Sequence, residues 1–142
     1  MIIRKYNHKD INKVINVWYE SSIVSHSFLS NDILEKQKKD IDKYLRDSET
    51  WVAEIDMEIV GFISLMGKYI GGLFVSPKYF RNKIGTTLLQ EAIKEKGSLS
   101  VSVYEKNLIA RKFYERKGFI FVNKFYQKES NEYIINMVYN KI

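Results

Sequence analysis

The one proline of the chain, Pro77, stands between two runs of different hydrophobic pattern and constrains what both can become. Before it, Leu73-Phe74-Val75 closes an apolar run of strand character. Proline has no amide hydrogen and cannot continue an interior strand, so the strand stops there. Beyond it, Ile84, Leu88, Leu89, Ala92 and Ile93 recur at helical spacing and mark one face of a helix. The loop from Phe80 to Gly85 therefore presents a helix N-terminus just outside the end of a strand.

The first turn of a helix has backbone N–H groups without intrahelical partners, and the macrodipole adds partial positive charge. Arg81 and Lys83 add full charges, and Gly85 lets the backbone approach a ligand closely. Such a turn, from Phe80 through Arg81, Asn82, Lys83, Ile84 and Gly85 to Thr86, suits a phosphate or pyrophosphate. An ordinary basic turn would carry the same residues, and this stretch alone leaves both readings open.

A second segment narrows the choice. Asn107-Leu108-Ile109-Ala110-Arg111-Lys112-Phe113-Tyr114-Glu115-Arg116-Lys117-Gly118-Phe119 begins on a good helix cap and ends on a glycine suited to a left-handed stop. Ile109, Ala110, Phe113 and Tyr114 share a face. The segment matches Asn-x-x-Ala-x-x-Phe-Tyr-x-x-x-Gly-Phe at every marked position, and so resembles the GNAT superfamily of N-acetyltransferases. The Pro77 stretch resembles the coenzyme-A motif of that superfamily, Gln/Arg-x-x-Gly-x-Gly/Ala. Phe80 falls in its Gln/Arg slot, Lys83 in its first glycine slot and Gly85 in its second.

The resemblance implies acetyl-CoA as co-substrate and an amine acceptor that the sequence does not identify. It implies a central strand splayed from its neighbour, with the pantetheine arm paired to main-chain groups of Leu73, Phe74 and Val75. Asn107, Ala110, Phe113 and Tyr114 would face the same arm, with the Tyr114 hydroxyl as general acid toward sulfur. A phenol near pKa 10 stays protonated at neutral pH and can donate. The region Ser21–Leu29 would cover the acceptor.

The rest of the chain fits such a fold. Ile2–Tyr6 reads as a strand, and Asp10 can cap a helix with Ile11, Val14, Ile15 and Trp18 on its apolar face. Glu20–Leu29 lacks periodicity and is expected as an irregular turn or short helix. Asp32–Arg46 reads as a helix burying Leu34, Ile41, Tyr44 and Leu45. Strands follow at Trp51–Ile55, Ile59–Met66 and Tyr69–Val75, then at Ser98–Val103, from Phe119 and at Tyr133–Tyr139. Gly71-Gly72 inside a strand marks either a tolerated bulge or a place where the ladder opens. The expected order is βααβββαβαββ: α+β, a twisted, mostly antiparallel sheet flanked by helices.

At 142 residues, one domain over 1–142 is expected. The absence of cysteine excludes disulfides and thiolate chemistry, and with two histidines no metal is expected. No apolar run approaches the roughly 20 residues of a membrane span, and the N-terminus is not a signal peptide, so a cytoplasmic protein is expected. The net charge of +6 suits an anionic ligand. The tyrosines sit in apolar runs rather than between Lys and Arg, which argues against nucleic acid. The aromatic last strands could serve a dimer edge, so monomer and homodimer both stay open.

Acetyl transfer to a lysine, with pKa about 10.4, needs a base or a desolvating pocket; an α-amine near 8 needs less. Candidate bases are His26, with an unperturbed pKa near 6.5, Glu105 and Glu20. Phe80 and Lys83 in motif slots leave a non-catalytic coenzyme-A-binding relative as the alternative.

Overall fold

The computed structural model describes residues 1–80 and 82–141. The chain runs β1 (Ile2–Lys5), α1 (Ile11–Ser25), α2 (Asn31–Asp47), β2 (Glu49–Ile55), β3 (Glu58–Met66), β4 (Tyr69–Val75), α3 (Ile84–Lys96), β5 (Leu99–Tyr104), α4 (Leu108–Arg116), β6 (Ile120–Gln127) and β7 (Glu132–Tyr139). This is the expected order, with short 3-10 turns added at His8–Asp10 and Pro77–Tyr79. The strands form one seven-stranded sheet in the order β1-β2-β3-β4-β5-β7-β6. All neighbours are antiparallel except β4 and β5, which are parallel because α3 carries the chain between them.

Helices cover both faces. On one side α3 buries Ile84, Leu88, Leu89 and Ala92, and α4 buries Tyr114, against Trp51, Val60, Ile63, Leu65 and Val101. On the other, Val14, Val17 and Trp18 of α1 and Leu34 and Leu45 of α2 pack on Val52, Ile59 and Phe62. A strand covered on both faces reads as a continuous apolar run, and Ile59 to Leu65 of β3 is buried throughout. The alternation expected in β5 holds, with Leu99, Val101 and Val103 buried. Gly118 ends α4 at φ +94°, the left-handed stop expected there.

Several boundaries move. α1 continues through Ser25 and absorbs the serine-rich stretch expected to be irregular, burying Ser21 and Ser22 in the packed face. Asp10 makes no cap bond to α1. Its carboxylate instead accepts from the Asn7 main chain in a capping box on the 3-10 turn. The same carboxylate takes both ends of the Arg4 guanidinium at 2.8 and 3.0 Å, while Arg4 also donates to Glu54 at 2.8 Å. β6, expected to begin at Phe119, starts at Ile120 and runs to Gln127 as the sheet edge, with Ile120, Phe121, Val122, Phe125 and Tyr126 exposed.

The Arg4 hydrogen bonds hold the Asp10 carboxyl below its ordinary pKa. A depressed folded pKa gives stability that is complete above the unfolded value, about 3.9, and lost as pH falls through the folded one. Asp10→Asn is therefore expected to cost about 1 kcal/mol at pH 7. In urea unfolding, its deficit against the parent should shrink as pH falls below about 4.

Candidate active site

The site begins where β4 leaves β5. The two strands pair only at Tyr69–Ser100 and Ile70–Val101. Just beyond, Ser64 of β3 faces Gly72 and Leu65 faces Ile70, so Gly71 is the extra residue of a bulge. A Cβ at Gly71 would overlap the Tyr44 hydroxyl, the far end of a side chain from α2, so a larger residue here would have to displace that phenol. From Gly71 to Val75 the β5-facing edge of β4 has no strand partner among the described residues. Of the two meanings left open for the glycine pair, the structure shows a bulge at which the ladder also opens.

Two clefts meet at this opening. One, of about 310 Å³, runs along the α3 N-terminus and is lined by Val75, Phe80, Lys83, Gly85, Thr86 and Phe113, with Ser21 and Ser25 of α1 and Ile109 of α4. The other, of about 360 Å³, lies under α2 and is lined by Trp18, His26, Gln37, Asp40, Tyr44, Phe62, Ser102 and Tyr104 among others. Leu73, Phe74, Asn107, Ala110 and Tyr114 line both. The expected site residues are thus brought together, with four exceptions: Glu105, taken up below, and three in the turn before α3 and its first residue. Ile84 faces the core, 1% exposed. The Asn82 main-chain N–H is already given to the Tyr79 carbonyl at 3.1 Å. Arg81 lies outside the described residues.

The α3 cleft suits an anion. Ser30 caps α2 and Asn107 caps α4 through their side chains, but Lys83 at the start of α3 has no acceptor to offer. Lys83 adopts φ +59°, the left-handed conformation that explains why a glycine would be at home in this slot. A Cβ on Gly85 would meet only Phe113 at 3.5 Å and Val75 at 3.8 Å, ordinary contacts. The protein's own packing does not demand glycine there, whereas a ligand lying on the helix terminus would.

Tyr114 sits at the junction, 4% exposed, against the Phe113 and Phe119 rings at 5.2 and 5.0 Å. Burial, with Tyr69 nearby, raises its pKa above the ordinary phenol value, so the hydroxyl stays protonated. Asn107 accepts from the Ala110 amide through Oδ1 at 3.1 Å, which fixes the orientation of its amide group. Its Nδ2 therefore donates to His26 Nε2 at 3.2 Å. With Nε2 as acceptor, the imidazole proton belongs on Nδ1, which is buried without a partner.

Phe28, Phe74 and Tyr104 surround the His26 ring. The expected value near 6.5 does not hold, because burial lowers the pKa to about 4. Glu105 lines neither cleft and is paired with Lys124 at 3.0 Å. Glu20 lines a separate hollow with Lys13 and Lys78. No cluster of metal-ligating side chains occurs among the described residues, and no helix among them is long and apolar enough to cross a membrane.

A family model described as an acetyltransferase (GNAT) domain matches residues 46–121. Peptidyl-lysine N-acetyltransferase YiaC of Escherichia coli K12 is 31% identical over 134 residues, covering 91% of this chain and 90% of its own. Spermidine N(1)-acetyltransferase of Thermoplasma acidophilum is 30% identical, covering 82% of this chain and 86% of its own. Among solved structures, apo YjaB of E. coli superposes at a TM-score of 0.88 over 100% of both chains, at 24% identity. The PaiA N-acetyltransferase of T. acidophilum, solved with coenzyme A, gives 0.79 over 97% of this chain and 98% of its own, at 25% identity.

Two outcomes follow from the site geometry. Nitrogen-detected NMR of the His26 ring should show the Nδ1–H tautomer and a midpoint near 4 rather than 6.5. Because that folded pKa lies below the unfolded one, the stability His26 confers is complete above about pH 6.5 and lost between there and about 4. Lys83→Gly, which relieves a left-handed lysine, should raise unfolding stability by about 0.5–1 kcal/mol.

Proposed function

The chain belongs to the GNAT acetyltransferase family, and we propose that it transfers an acetyl group from acetyl-CoA to a primary amine where its two clefts join. The observation that carries this reading is that Leu73, Phe74, Asn107, Ala110 and Tyr114 line both clefts. A donor in the α3 cleft and an acceptor in the α2 cleft would then meet at one hydroxyl and one free strand edge. The named relatives act on peptidyl-lysine and spermidine, both primary amines.

The α3 cleft has the features a coenzyme A needs: an uncapped helix terminus, Lys83 beside it, and Gly85 leaving room. Acetyl-CoA supplies the thioester, an acetyl carbonyl activated by a good leaving group. Main-chain N–H groups at the start of α3 hold the diphosphate. The unpaired edge of Leu73, Phe74 and Val75 takes the pantetheine amides, and a main-chain N–H near Phe74 or Val75 polarises the carbonyl. As the amine nitrogen bonds the acetyl carbon, the C–S bond breaks and sulfur keeps its electron pair. Tyr114 then donates its proton to that sulfur and regains one from solvent, which takes up the proton the amine loses.

No side chain is assigned as base. His26 cannot accept a proton at Nε2 without releasing Asn107, and Nδ1 already carries one. Glu105 is held outside by Lys124. The aromatic walls of the α2 cleft disfavour an ammonium ion, and the surplus proton of the amine leaves to solvent through the mouth. His26 serves instead to hold Asn107, and through it the start of α4, at the junction.

Thiol release from acetyl-CoA in the presence of a panel of primary amines tests this reading. Tyr114→Phe is expected to lower kcat about a hundredfold with little change in KM for acetyl-CoA. Full turnover in that variant removes Tyr114 as the acid. Coenzyme binding without amine-dependent thiol release in the parent would favour a non-catalytic relative. His26→Gln, which keeps an acceptor for Asn107, should leave the acidic limb of the pH–rate profile in place.

A further inference from the structure

Resting on the reading that the α2 cleft receives the acceptor, we propose that this acceptor is an unbranched alkylamine with a second positive charge behind the reacting nitrogen. Asp40, with the Gln37 carbonyl beside it, selects for that charge. The polar groups of the cleft point there once those already engaged are set aside. Ser64 Oγ bonds Thr50 Oγ1 at 2.8 Å, and Ser102 Oγ donates to Asn136 at 2.6 Å. The Tyr104 hydroxyl accepts from Gln37 Nε2 at 3.2 Å, and His26 accepts from Asn107.

Inside the cleft the Tyr44 hydroxyl and His26 Nδ1 have no partner; on α2 the groups left open are the Gln37 side-chain carbonyl and the Asp40 carboxylate, three residues apart on one face. Both are acceptors. Asp40 is exposed and enters no ion pair among the described residues, although Lys36, Lys39 and Lys43 lie close in sequence. An unpaired carboxylate beside a carbonyl recognises a cation or a charged N–H donor. The rest of the cleft is lined mainly by apolar side chains, among them the rings of Trp18, Tyr44, Phe62 and Phe74 and the aliphatic Leu45 and Ile70.

A methylene chain can lie along such walls. A polyhydroxylated aminosugar brings several hydroxyls, more than the one free Tyr44 hydroxyl can satisfy, and would bury the rest without partners at high cost. A free α-amino acid would bring its own carboxylate toward Asp40. The chemistry that fits is ammonium, alkyl spacer, cation. A free polyamine supplies it, and so does a lysyl side chain with a basic neighbour.

The test compares kcat/KM for n-pentylamine, 1,5-diaminopentane, spermidine and two N-acetylated lysyl peptides, with Arg or Glu next to the lysine. The parent should prefer diamine over monoamine, and Arg peptide over Glu peptide, by about tenfold at low salt. The relative rates of spermidine and the Arg peptide identify which source the cleft is built for. In Asp40→Asn both ratios should fall toward one, and in Asp40→Glu they should persist. Equal handling of pentylamine and diaminopentane by the parent, or an unchanged ratio in Asp40→Asn, overturns the assignment while acetyl transfer itself stands. Absence of thiol release with every amine overturns the transfer reading, and this assignment with it.

Discussion

A phenol lodged in a sheet is the contact on which this architecture turns. The Tyr44 hydroxyl fills the volume where a side chain at position 71 would begin, so the phenol and the β4 bulge fit together with Gly71 between them. The bulge re-aims the strand, so β4 leaves β5 after two paired residues and never rejoins it. Burial pushes the Tyr44 phenol up to about 12, which keeps this wedge neutral across the physiological range. The gap it starts is floored by Tyr114 and bounded by α1, α2 and α4, and both clefts open from it. A sheet zipped fully from β4 to β5 would leave neither cleft.

Around that gap the polar groups are arranged so that few are free. Asn107 gives its carbonyl to the α4 terminus and its amide hydrogen to His26, tying the C-terminal end of α1 to the start of α4. Gln37 and Tyr104 tie α2 to β5 in the same way. A hydrogen-bonded group already committed to the fold is a poor catalyst, because using it for chemistry breaks the structure that positions it. His26 illustrates this: its residue type points to acid–base work, while its bonding and burial make it a strut. Tyr114 is the contrast, placed at the junction with its hydroxyl bonded to no side chain.

The element order, the Asn107 cap and Gly118 stop of α4, and the strand stop at Pro77 were legible because each depends on local backbone chemistry. The row of residues 73 to 75 along the opening came from the family resemblance, since the glycine pair by itself left a tolerated bulge and an opening as alternatives. The extension of α1 through Ser25 was not legible: serine has little helical preference, and only packing of Ser21 and Ser22 under the sheet decides it. Nor was the role of Gln37, Asp40 and Tyr44. On the sequence they belong to a charged, solvated helix, and nothing local says which of its faces looks inward over a cleft.

The sequence by itself therefore determined what depends on neighbours along the chain: where strands stop, which residues start helices, and the motif that links this chain to its family. The tertiary structure alone decided which polar groups remain unused. Whether His26, Glu105 or Asp40 is available to a ligand depends on Asn107, on Lys124 and on Asp40 making no ion pair among the described residues. Two of those partners are brought in from distant parts of the chain. Charge and hydrogen bonding act through space over a few ångströms, and folding sets those distances without regard to sequence separation.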